Sequence, residues 1–70
     1  MKGEKMVNSE KIRQLMAEKG ITGKELAEKA GVTESMMSYI AKGLRSPSVE
    51  VLVRIANVLG CKVDELIINK

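Results

Sequence analysis

The stretch TGKELAEKAGVTESMMSYIAK, Thr22 to Lys42, decides the fold. Thr22 and Glu25 have the spacing of a capping box, in which the threonine oxygen accepts from a free amide and the glutamate reaches back. Ile21 and Leu26 sit where a hydrophobic staple lies. Gly31 stops this helix at about Ala30, because glycine enters the left-handed conformation cheaply. After only Val32, Thr33 caps a second helix. Met36, Met37 and Ile40 form its apolar face, and Gly43 ends it. Two short helices joined by about three residues cross steeply, unlike neighbours in an up-down bundle. Ala27, small and on the inner side of the first, lets the second approach. Leu26, Val32, Met37 and Ile40 plug the pair onto the rest of the chain.

The flanks read as further helices. Ser9 can cap one in which Ile12, Leu15 and Met16 fall at helical spacing, ended by Gly20. After the loop Leu44-Arg45-Ser46-Pro47, Ser48 caps another. Val49, Leu52, Ile55, Ala56 and Leu59 form its stripe, and Gly60 stops it. Val63, Leu66 and Ile67 suggest a short fifth helix, with Lys62 a poor cap. Residues 1–7 carry mixed charge without a period and read as a flexible arm. Residues 8–70 form one domain. No stretch sustains strand alternation, so the expected architecture is all-α, a compact five-helix domain.

Composition narrows the function. Seventy residues, 44% hydrophobic and 30% charged, fit one small domain and argue against disorder. No apolar run approaches the roughly 18 residues of a membrane span. The lysines near the N-terminus have no apolar stretch behind them, so no signal peptide is read, and a cytoplasmic protein is expected. Histidine is absent, which removes the commonest general base and metal ligand. Cys61 is the only cysteine, so neither an intramolecular disulfide nor a cysteine zinc site is expected. Nothing assembles a nucleophile, base and orienting group. The expectation is no enzyme, no cofactor, no metal and no small-molecule substrate. Tyr39 is the only aromatic residue, which disfavours stacking on single-stranded nucleic acid. A net charge of +3 permits an anionic partner.

The paired helices over residues 23–42 form a helix-turn-helix pattern, whose second helix can enter a DNA major groove about 12 Å wide. The chain from Ile12 to Gly43, continued from Arg45 to Leu66, resembles the XRE family of lambda-repressor-like, Cro/CI-type transcriptional regulators. The marks of the resemblance are KELAEKAGVT from Lys24, the Gly43 helix end, Pro47-Ser48, and LGCKVDEL from Leu59. It covers roughly residues 9–68. It implies a five-helix domain that binds double-stranded DNA as a homodimer and controls transcription, with repression of a palindromic operator the leading form. The chain departs from the family pattern at Gly23, where many relatives carry a phosphate-holding glutamine, and at Glu34, where they carry Arg, Lys or Gln. Met16 and Ala41 replace a common Arg–Glu pair. Losing both partners is coherent, since one buried charge alone costs roughly 3–5 kcal/mol.

On this resemblance the DNA-binding residues are Lys24, Thr33, Glu34, Ser35, Ser38, Tyr39, Lys42, Arg45 and Ser46, with Arg13 a lesser candidate. The serines and tyrosine can meet base edges. Lys24 sits at a helix start, where the dipole also favours phosphate. A plainer reading also fits: Thr33 as a cap, the serines and lysines as solvated surface. Residues 22–42 hold three basic and three acidic side chains, so one domain gains little from counterion release. That motivates a dimer, placed by sequence on Val58, Cys61, Val63, Ile67 and Ile68. The alternative function is a protein-interaction module or antitoxin of the same fold with weak or no DNA binding.

Overall fold

The computed structural model describes residues 5–69. Four α-helices carry the chain: α1 (Ser9–Lys19), α2 (Gly23–Ala30), α3 (Glu34–Lys42) and α4 (Val49–Leu59). A single 3₁₀ turn follows at Val63–Leu66. Two three-residue strands complete the order, β1 (Lys5–Val7) before α1 and β2 (Ile67–Asn69) at the end. They pair antiparallel, with Val7 opposite Ile67 and Lys5 opposite Asn69.

The all-α, five-helix expectation is therefore corrected at both ends. The expected fifth helix is one 3₁₀ turn that runs straight into a strand. Lys62 offers no side-chain cap; instead its N–H donates to the Glu65 carboxylate at 3.3 Å, and the Glu65 N–H returns to the Lys62 carbonyl at 3.0 Å. Such tight turns stay short because their hydrogen bonds are poorly aligned. Of the arm expected over residues 1–7, residues 1–4 lie outside the described residues, and Lys5–Val7 form β1. Val7 and Ile67 both rest against the core, so the strand pair lies on it. The Asn8 N–H donates to the Leu66 carbonyl at 2.7 Å and extends that tie into α1.

Local chemistry sets the helices. Thr22, Thr33 and Ser48 each accept from the amide three residues on. At Thr22 the capping box is complete, since its N–H also donates to Glu25 at 3.0 Å. The first cap is Asn8, whose Oδ1 accepts from Lys11, and Ser9 is the first helical residue. A glycine with positive φ follows each of the four helices.

The core is apolar throughout. Ile12, Leu26, Ala27, Ala30, Met37, Ile40, Leu52, Ile55, Ala56, Leu59 and Leu66 are buried, with no buried polar side chain among the described residues. Each large member contributes about 1.5–3 kcal/mol by leaving water. Val49 is the exception within the expected α4 stripe: it is 76% exposed, because at the first helical position it precedes the packed turn. Val51 is half-buried against the core instead.

Gly31 (φ +78°) turns the chain from α2 to α3, and a Cβ there would stand 2.8 Å from the Arg54 Nη1. That guanidinium, from α4, donates to the Ala30 carbonyl at 3.4 Å and pairs with Glu50 at 2.9 Å. Gly31→Ala is expected to cost about 1–2 kcal/mol in urea unfolding, from the left-handed backbone. The Arg54→Ala background should recover part of this loss, because the guanidinium contact is then gone.

Candidate nucleic-acid interface

The α2–α3 pair is built from its turn outward. The Val32 N–H reaches back to the Ala27 carbonyl at 3.0 Å and closes the end of α2. Ala27, only 2% exposed, leaves room for α3 to lie close. Met37 and Ile40 then sink fully into the core, and Met36 is half-buried. With these positions facing inward, helical geometry turns Glu34, Ser35, Ser38, Tyr39 and Lys42 outward, and all five are exposed.

Two arginines secure the C-terminal ends of this pair. Arg54 holds α2 as described. Arg13, from α1, donates to the Ala41 carbonyl in the last turn of α3. Both place a cation at the negative end of a helix dipole and satisfy a carbonyl left without an intrahelical partner. Arg13 is thus engaged within the fold, whereas the sequence reading considered it for phosphate. Arg54 was not singled out at all; only its Glu50 spacing, four residues apart, was visible in the sequence.

Beside α3 lies an open cleft of about 360 Å³, bordered by Thr22, Gly23, Lys24, Glu34, Met37, Ser38, Ala41 and Lys42. It brings together four of the expected contact residues: Lys24 from the first turn of α2, and Glu34, Ser38 and Lys42 from α3. Thr33 is exposed, yet its hydroxyl already accepts from the Met36 N–H at 3.0 Å. Ser35 and Tyr39 lie on the exposed surface of α3 outside the cleft lining, Tyr39 44% exposed. Arg45 and Ser46 stand exposed in the loop after Gly43. That loop leaves α3 by a bond from the Leu44 N–H to the Tyr39 carbonyl, 2.8 Å. A Cβ at Gly43 (φ +80°) would come 3.0 Å from the Ser9 Oγ, so the loop starts hard against α1.

The five residues expected at a dimer contact are all half-buried. Val58, Cys61, Val63 and Ile67 rest partly against the monomer's own core, and Ile68 follows in β2. Among the described residues the large hydrophobic side chains that stand exposed lie elsewhere: Tyr39, Leu44, Val49 and Val53. Burial pushes the Cys61 thiol above its ordinary pKa, with the Glu65 carboxylate adding to the rise and Lys11 and Lys19 opposing it. Among the described residues no cluster of three His, Cys, Asp or Glu could hold a metal ion. No described helix is long and apolar enough to cross a membrane.

Comparison with known proteins agrees with this architecture. A helix-turn-helix family model matches residues 12–66. An HTH-type transcriptional regulator of Archaeoglobus fulgidus is 34% identical over 58 residues, 83% of each chain. The HTH-type transcriptional regulator SinR of Bacillus subtilis is 40% identical over 62 residues, 87% of this chain and 56% of SinR. This chain therefore spans little more than half of SinR. The crystal structure of SinR in complex with DNA matches with a TM-score of 0.73 and 40% identity, covering 80% of this chain and 90% of that one.

Three measurements test these assignments. Arg13→Ala should speed amide exchange in the last turn of α3 and destabilise the fold by about 0.5–1.5 kcal/mol. Lys42→Ala should leave stability within about 0.5 kcal/mol of the parent. For Cys61, alkylation at pH 8 should run slower in the folded chain than in urea. The folded state holds the thiol proton more tightly, so this contribution to stability is present below the ordinary thiol pKa and is lost as pH rises above it.

Proposed function

This chain belongs to the helix-turn-helix family of transcriptional regulators, of the XRE or Cro/CI-like kind, and we propose that it binds double-stranded DNA sequence-specifically and represses transcription. In this reading α3 enters the major groove. Ser35, Ser38 and Tyr39 meet base edges, while Lys24, Lys42, Arg45 and Ser46 meet phosphates. Thr33 positions the start of the helix and Glu34 faces the groove with it. The observation that carries the reading is the division of α3 into two sides. Met37 and Ile40 are wholly buried, and the opposite side is polar, exposed and edged by lysines.

The functional unit is a homodimer on a palindromic site, which presents two α3 helices about 34 Å apart, one turn of DNA. The balanced charge of residues 22–42 supports this, because one domain neutralises few phosphates. Its contact is assigned to the C-terminal end, at Val58, Cys61, Val63, Ile67 and Ile68.

The test is selection of bound duplexes from a random pool, with the complex weighed for stoichiometry. A palindromic consensus and two chains per duplex are expected. Lys42→Ala should weaken all duplexes alike and lower the salt slope by about 1. Ser35→Ala and Tyr39→Ala should relax base preference at single positions. Absence of salt-dependent binding to any duplex would instead favour the protein-interaction alternative.

A further inference from the structure

Glu34 is an unusual side chain for a surface that meets a polyanion. It is the only acidic residue of α3, occupies the first helical position and is exposed. Some other exposed carboxylates have internal partners, whereas Glu10, Glu28 and Asp64 share with Glu34 the lack of one among the described residues. Glu25 accepts from the Thr22 N–H, Glu50 pairs with Arg54, and Glu65 accepts from the Lys62 N–H. Among the described residues Glu34 has no ion pair. Thr33 already caps the helix, so no capping role calls for a carboxylate here. The positive end of the helix dipole favours the charge but supplies it with no hydrogen-bond partner.

Its neighbours suggest what that partner is. Glu34 borders the cleft together with Lys24 and Lys42. Lys42 lies eight residues further along α3, about 12 Å by helical rise. A carboxylate is thus set among cations. A major groove has the complementary order, with phosphates along its rims and base edges on its floor. The donors on that floor are the amino groups of cytosine and adenine. Adenine sets the N7 acceptor beside its amino group, which repels a carboxylate. Cytosine's own edge offers the donor alone.

We infer that Glu34 is a specificity residue that accepts a hydrogen bond from the 4-amino group of a cytosine, so that the bound site carries a C·G pair opposite the start of α3. This rests on the DNA-binding reading above and adds the identity of one base pair. An ionised carboxylate only accepts hydrogen bonds. It therefore works largely by rejection, opposing every duplex through phosphate repulsion and opposing least the one that supplies an amino donor. Glu34→Gln removes the charge and supplies an amide that matches adenine N6 and N7. Two opposite changes follow: tighter binding to random duplex, and a different base at one position.

The experiment is parallel selection from a random duplex pool with the full chain and its Glu34→Gln and Glu34→Asp variants. Each selected duplex is then titrated with all four base pairs at the position in question. The parent should prefer C·G by about 5- to 100-fold. Glu34→Gln should shift that preference to A·T and bind random duplex more tightly, while Glu34→Asp should retain C·G with a smaller margin. A uniform rise in affinity for Glu34→Gln, with every base preference unchanged, would overturn the inference and leave DNA binding standing. Failure of the parent and both variants to bind any duplex would overturn the DNA-binding reading and this inference together.

Discussion

A left-handed glycine with a guanidinium lying against it sets how α3 leaves α2. Gly31 turns the chain without a Cβ, and Arg54 fills the space that a Cβ would need. The same guanidinium holds the Ala30 carbonyl. Because the turn is short and held from outside, α3 has little freedom to roll. Met37 and Ile40 are then committed to the core, and the opposite side of the helix is committed to solvent. Everything the outer surface can recognise follows from that division.

Four cations of the described residues take two different parts. Arg13 and Arg54 reach across to helix ends and act within the fold. Arginine suits this task, since its several fixed donors can serve a carbonyl and a carboxylate at once. Lys24 and Lys42 border the cleft instead. A count of basic residues merges these kinds, and the net charge of +3 therefore says little about how much charge a ligand meets.

The strand pair shows how so small a chain closes its core. A two-stranded ribbon is marginal alone. Here one residue of each strand, Val7 and Ile67, packs against the buried core. The strands pair over three residues each, and the 3₁₀ turn that leads into β2 packs against α1 and α4.

Sequence by itself determined the four helices, their stops and three of their caps. Each of those signals is local: a hydroxyl reaches an amide three residues on, a glycine takes a positive φ, and an apolar stripe repeats every turn. The exposed side of α3 was legible for the same reason, since helical periodicity fixes which residues oppose Met37 and Ile40. Only the tertiary structure decided the rest. Strands of three residues carry no readable period, and their partners are some sixty residues apart in the chain. Arg13 meets Ala41, and Arg54 meets Ala30, across 28 and 24 residues. Val49 falls outside the stripe its spacing suggested, because burial depends on what lies opposite a side chain as well as on its phase along the helix. Contacts made by distant parts of a chain leave no pattern in the order of its residues, and those contacts exist only once the chain has folded.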